Sequence, residues 1–258
     1  MAKIISIHSF RGGTGKSNTT ANLAYILAAE GFRVGVIDTD IQSPGIHIIF
    51  GLRGEQITSS LNDYLWHGKE ITETALNVTQ NLTQSIKGQL YLIPSSIKAG
   101  EIARVLREGY NAELLTQGIR QLVDALSLDF LFIDTHPGLN EETLLSLILA
   151  HVLIIILRPD QQDYEGTGVT LRVASQLEVP RITMLINKVP PSIELEAIKT
   201  KVKETYQSEV LAAIPFSLEM MDLGSRGIFA AHFPHHAITE TYQYVDDMLK
   251  SPDLKPGD

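Results

Sequence analysis

Near the start of the chain, Phe10-Arg11-Gly12-Gly13-Thr14-Gly15-Lys16-Ser17 puts glycines, a lysine and a hydroxyl within a few positions of one another. Gripping a polyphosphate takes backbone N–H groups that converge on an anion with no side chains in the way, and a helix whose positive end faces the same point. The glycines supply the first requirement. Lys16 supplies a point charge for the β- and γ-phosphates, and the Ser17 hydroxyl, in the first turn of the following helix, can reach Mg²⁺. Position 10 departs from the usual loop G-x-x-x-x-G-K-[ST]: it is Phe, not Gly.

Three acids stand at the ends of apolar runs. Asp38 and Asp40 close the run Val36-Ile37-Asp38-Thr39-Asp40, and Asp134 closes FLFID, which continues as Thr135-His136-Pro137-Gly138. A carboxylate ending a buried strand beside a phosphate loop can hold a magnesium-bound water, because Mg²⁺ keeps several waters and takes few protein ligands. Phosphoryl transfer asks mainly for positioning and charge stabilisation, so one carboxylate that orients the attacking water suffices. Other groups carry less. His232, His235 and His236 lie close together without a carboxylate at ligand spacing and read as a surface loop. Lys199, Lys201 and Lys203 alternate, which splays them around a helix as a solvated face. Tyr64 and Trp66 read as packing for a short helix.

The elements that must position these groups are legible as runs and stripes. Runs rich in β-branched and apolar residues at 4–7, 34–37, 90–93, 130–133, 152–157 and 182–186, most of them unbroken, predict strands covered on both faces of a parallel sheet. Between them, 17–30 carries Ala21, Ala24, Leu27 and Ala28 on one stripe and stops at Gly31, and 112–126 repeats the pattern. Residues 59–66 and 71–78 read as short helices, and 251–258 as a frayed tail. The alternation predicts an α/β fold: a doubly wound, mostly parallel sheet flanked by helices, one domain over 1–250, with ligands at the carboxyl ends of the strands.

Composition removes whole classes. The 258 residues include no cysteine, which excludes disulfide scaffolds, thiolate catalysis and cysteine-held iron-sulfur clusters. Against 30 Asp and Glu stand 21 Lys and Arg, a net charge of -9, opposite in sign to a dedicated nucleic-acid binder, though a local basic patch stays open. The apolar stretch 144–157 is shorter than the roughly 20 residues that span a bilayer and splits into a helix over 141–150 and a strand over 152–157. With no secretory signal visible at the start, the expected location is cytoplasmic.

Taken in order, these motifs resemble the ParA/MinD family of P-loop ATPases, whose phosphate loop has the variant form x-[K/R]-G-G-x-G-K-[ST]. The likeness covers roughly positions 2 to 245. It implies a P-loop NTPase fold of the SIMIBI type, ATP and Mg²⁺ as cofactors, and a nucleotide site built from Gly12, Gly13, Thr14, Gly15, Lys16, Ser17 and Asn18. Asn187, in Ile186-Asn187-Lys188, resembles the strand-end residue that reads adenine, and Pro215, in Ala213-Ile214-Pro215, the loop that closes over the base. Metal duties fall to Ser17, Asp38 and Asp134, the two acids through water. Catalytic duties fall to Asp40, Lys16 and Arg11, and the division between Asp38 and Asp40 stays open. Arg11 stands where most relatives have a lysine that crosses to the partner's nucleotide. Arg158, Asp160 and Asp163 could offer a replacement contact.

The resemblance further implies an ATP-dependent homodimer, an activating adaptor protein, and slow hydrolysis that positions or partitions a cargo. A MinD-like membrane anchor is disfavoured, because the chain ends TYQYVDDMLKSPDLKPGD with no basic face. Nonspecific binding to nucleoid DNA through Arg172, Arg181, Lys188, Lys199, Lys201, Lys203 and Lys250 is the favoured surface. The alternatives are a weakly hydrolysing, nucleotide-gated scaffold or regulator and a MinD-like membrane-associated positioning ATPase.

Overall fold

The computed structural model describes residues 2–251; of the tail expected to fray, 252–258 lie outside the described residues. The strands are β1 (Lys3–His8), β2 (Arg33–Asp38), β3 (Leu76–Asn77), β4 (Gln89–Ile93), β5 (Phe130–Asp134), β6 (Val152–Leu157), β7 (Arg181–Val189) and β8 (Glu209–Pro215). The helices are α1 (Lys16–Glu30), α2 (Ile46–Ile49), α3 (Leu61–His67), α4 (Ala99–Glu108), α5 (Ala112–Ala125), α6 (Glu141–Ile148), α7 (Gln161–Gln176), α8 (Leu195–Tyr206), α9 (Leu218–Leu223), α10 (Phe229–His232) and α11 (Ala237–Lys250).

The described strands form one eight-stranded sheet in the order β3-β4-β2-β5-β1-β6-β7-β8. Every pairing is parallel except β3 with β4. The early strands build outward from β1 on one side and the late strands on the other, so the winding reverses beside β1. In a doubly wound sheet that reversal opens a crevice at the carboxyl ends of the strands. The glycine loop leaves β1 at that point.

β5 and β6 are buried along their whole length, which is why their sequences read as continuous apolar runs. One core layer, including Leu23, Leu27, Phe132 and Tyr242, lies between the sheet and α1, α10 and α11. The opposite face carries two layers, one under α3 and α5 around Leu61, Ile119 and Ile133, and one under α7 and α8 around Ile155, Met184 and Ile198. The single stripe expected of α1 falls short of what is seen. Thr19 to Ala28 are all buried, because the sheet covers one side of α1 and α10 and α11 the other. Asn22 Oδ1 accepts the N–H of Ala230 at 2.7 Å, and the hydroxyls of Thr19 and Tyr242 pair at 3.3 Å.

The helix expected over 71–78 is replaced by a 3₁₀ turn, Ile71–Thr74, followed by β3. The competing force is sheet pairing: Val78 donates its N–H to Leu90 O at 2.9 Å. The helix expected at 59–66 is α3, held at its start by Ser60 and Asp63 in a reciprocal cap. The apolar stretch 144–157 divides into α6 and β6 as its composition predicts. Among the described residues no helix is long and apolar enough to cross a membrane.

Candidate functional site

The loop between β1 and α1 is shaped by left-handed glycines and tied down from three sides. Gly13 and Gly15 have φ of 76° and 104°, where a Cβ is strained, and a Cβ on Gly15 would also overlap the Asn187 amide. From β7, Asn187 Nδ2 donates to Thr14 O and Lys188 Nζ to Gly13 O, both at 2.8 Å. Ser9 Oγ donates to Arg11 O at 2.7 Å, and Gly138 donates its N–H to Ser9 O at 3.1 Å. The Phe10 ring lies so closely on Gly166 of α7 that a Cβ there would overlap it. No side-chain cap occupies the start of α1, and no acidic residue stands in its first turn. The positive end of the helix is thus left to an anion.

The acids gather beneath this loop. β2 and β5 run side by side in a register that pairs Asp38 with Asp134, and both are buried. Burial is the largest influence on Asp38; with Asp134 and Asp40 close by, it holds the carboxyl well above the usual range, against the opposing N–H of Asp40, which bonds Asp38 Oδ1 at 3.0 Å. Asp38 Oδ2 is buried without a hydrogen-bond partner in the chain. Asp134 is pushed up to about 6, by burial first, while Lys16 and the hydroxyls of Ser17 and Thr20 pull it down. An orphaned carboxylate oxygen, a second buried acid and the Ser17 hydroxyl form a set of hard oxygen donors, so these residues fit Mg²⁺ held largely through water. Among the described residues no cluster of three or more His, Asp or Glu side chains is disposed to bind a metal directly, His232, His235 and His236 included. His236 instead caps α11 by accepting the N–H of Ile238 at 3.1 Å.

Asp40 is half-buried at the rim. Its Oδ1 accepts the N–H of Ser43 at 3.1 Å and lies 2.6 Å from His136 Nδ1. Lys16 is buried beside Asp134. Arg11, by contrast, is exposed and donates from Nη1 to Gln162 on α7 of its own chain. Any bridging role for Arg11 therefore starts from a contact that must be given up. Arg158 is committed as well: its N–H and Nε bond Asp163 Oδ2 at 2.9 Å, and Nη2 reaches Asp160 at 3.3 Å. The replacement contact anticipated from Arg158, Asp160 and Asp163 is thus an internal ion cluster that starts α7.

A cavity of about 230 Å³ beside the loop is lined by Gly15, Asn18, Asn187, Pro215, Phe216 and Met220, among others. Sequence reasoning had gathered Asn18, Asn187 and Pro215 there. Phe216, Ser217 and the two methionines of α9 were missed, as was Gln162, since none stands in a motif; the bond of Lys188 to Gly13 and the seat of Phe10 on Gly166 were missed because each partner is remote in sequence. Asn187 keeps one amide hydrogen and one carbonyl lone pair for a ligand after bracing Thr14 and accepting the Lys188 N–H at 2.9 Å.

Residues 2–188 match the family model described as AAA domain. The chain is 30% identical over 216 residues to an uncharacterised ATP-binding protein of Methanocaldococcus jannaschii, covering 83% of this chain and 75% of that one. This chain belongs to the ParA/MinD family of P-loop ATPases. It is 34% identical over 175 residues to the flagellum site-determining protein YlxH of Helicobacter pylori, covering 67% of this chain but 54% of that one. Its fold is that of the septum site-determining protein MinD of Pyrococcus horikoshii, solved with Mg-ADP: the TM-score is 0.79 at 20% identity, and 97% of each chain is covered. Within this ParA/MinD fold the three acids stand at or just beyond the carboxyl ends of β2 and β5, and the cavity lined by Gly15 and Pro215 lies beside the loop that follows β1.

Proposed function

We propose that the chain is an ATPase that binds Mg²⁺-ATP in this crevice, dimerises face to face when loaded, and hydrolyses slowly under control of an adaptor protein, so as to position or partition a cargo. The observation that carries the reading is the bare, uncapped start of α1 above a buried acid pair with an orphaned oxygen. The N–H groups of loop 12–17 and Lys16 would cradle the phosphates, and Asn18, Asn187 and Pro215 the nucleoside. The Ser17 hydroxyl would bind Mg²⁺, with Asp38 and Asp134 holding its waters; the ion, when bound, neutralises charge that develops on the phosphate oxygens. Asp40, at the rim and open to water, would orient the attacking molecule. Arg11, released from Gln162, would reach the second subunit's phosphates with a guanidinium that binds oxygens in pairs.

The cytoplasm is the proposed location, with nucleoid DNA as the surface. Of the seven cations nominated for that surface, Arg181 pairs with Glu209, Lys199 with Glu196, Lys250 with Glu30, and Lys188 with the loop itself. The phosphate contacts would therefore rest on Arg172, Lys201 and Lys203. The contact of Arg11 with Gln162 favours a second reading, a scaffold with little turnover, and measured hydrolysis separates the two.

The founding test is calorimetry of ATP binding with and without Mg²⁺. Wild type should bind tightly only with the ion, and Lys16→Ala should lose at least about 100-fold, the scale of a buried charge-assisted contact. A wild-type protein with no magnesium-dependent affinity for adenine nucleotides overturns the proposal.

A further inference from the structure

The loops that follow β2 and β5 meet at one hydrogen bond. His136 stands two residues beyond Asp134, and its Nδ1 lies 2.6 Å from Asp40 Oδ1. A carboxylate offers no proton, so Nδ1 must be the donor. Asp40 Oδ1 also takes the N–H of Ser43, while among the described residues no donor is bound to Oδ2. The carboxylate is therefore pinned through one oxygen and open at the other. His136 is itself held, since its carbonyl accepts the Thr143 hydroxyl of α6 at 3.3 Å. Both side chains are about four-fifths covered, 20% exposed for His136 and 17% for Asp40, so the pair is sheltered yet reachable by water.

We propose that His136 is a positioning residue for hydrolysis: it fixes the rotation of the Asp40 carboxylate so that Oδ2 faces the attacking water. This rests on the water-orienting role proposed above for Asp40. A carboxylate free to rotate spends most of its time misaligned, and misplacement of a positioning group by about 1 Å costs on the order of 100-fold in rate. Histidine also reaches Asp40 from the loop that follows the metal-side acid, so the two loops must be assembled together before the oxygen is aimed.

The test compares wild type with His136→Ala, His136→Asn, Asp40→Ala and the double variant, measuring kcat and ATP affinity separately. His136→Ala should lower kcat about 10- to 100-fold with ATP affinity within about two-fold. His136→Asn, whose amide N–H overlays Nδ1–H, should recover most of that loss. In an Asp40→Ala background, His136→Ala should change nothing further. In the nucleotide-free protein, ¹⁵N spectra should show His136 protonated at Nδ1, with the signal shifting in Asp40→Ala. Should Asp40→Ala be inactive while His136→Ala turns over normally, or should Asn fail to rescue, the positioning role is refuted and the role of Asp40 stands. Normal turnover by Asp40→Ala would instead refute the reading of Asp40 itself.

Discussion

At the scale of single residues, the charge of the site is set as much by what is neutral as by what is ionised. His8, fully buried at the end of β1, is pushed down to about 3, by burial first and then by Lys16 and His136. Its tautomer follows from its neighbour. The Thr135 hydroxyl donates to Ile7 O at 3.0 Å, so it must accept from His8 Nδ1 at 2.8 Å, which leaves Nε2 a buried lone pair without a partner. His8 therefore adds no positive charge beside the phosphate loop. The unfolded chain takes up a proton at this residue below about pH 6.5 and the folded chain only near pH 3, so unfolding binds a proton in that window. Stability should fall on acidification by as much as about 1.4 kcal/mol per pH unit from this group. Asp134, raised to about 6, works in the opposite sense, so the comparison must be between variants. His8→Asn keeps a donor for Thr135 and removes the titration. Urea unfolding between pH 3.5 and 6.5 should show a shallower acid decline for the variant, and parallel curves would mean His8 is not held neutral.

At the scale of elements, much was readable because the sheet is buried on both sides: β1, β2, β4, β5, β6 and β7 announce themselves as runs rich in β-branched and apolar residues rather than as alternating ones. β3 does not, having two residues and an antiparallel partner, and the apolar spacing around it imitates a helix. α7 was also hidden. Its opening, QQDYEGTGVT, holds two glycines and poor helix formers, and the helix exists because Asp160 caps it at 3.0 Å and the protein packs against it. The same glycine explains how Phe10 is tolerated in the phosphate loop. A Phe10 ring resting on Gly166 turns α7 into the wall that fixes the loop, a dependence no local pattern reveals. Gly166→Ala should therefore cost about 1–3 kcal/mol through overpacking and loosen ATP binding by about tenfold. In a Phe10→Ala background the added methyl has room, and the second substitution should cost under about 0.5 kcal/mol more. Additive losses in thermal unfolding would show that the two residues do not set each other's position.

At the scale of the whole molecule, a net charge of -9 and a proposed DNA surface pull in opposite directions, and the resolution lies in which cations are free. Long-range repulsion fades beyond a Debye length of about 10 Å at 0.1 M salt, so a local patch can act against the global sign. Arg181, Lys188, Lys199 and Lys250 are neutralised or engaged within the chain, so a monomer brings about three cations and a dimer about six. Each neutralised phosphate contributes about -0.9 to the slope of log affinity against log salt. The Asp40→Ala variant, expected to hold ATP without turnover, should then bind nonspecific duplex DNA as a dimer with a slope near -5, whereas an ADP-loaded monomer should show about -3 and far weaker binding. Replacing both Lys201 and Lys203 with alanine leaves Arg172 from each subunit and should bring the dimer slope to about -2. A slope unchanged by those replacements would place the patch elsewhere on the molecule, and ATP-loaded dimers without salt-dependent affinity would mean that the surface this protein reads is not DNA.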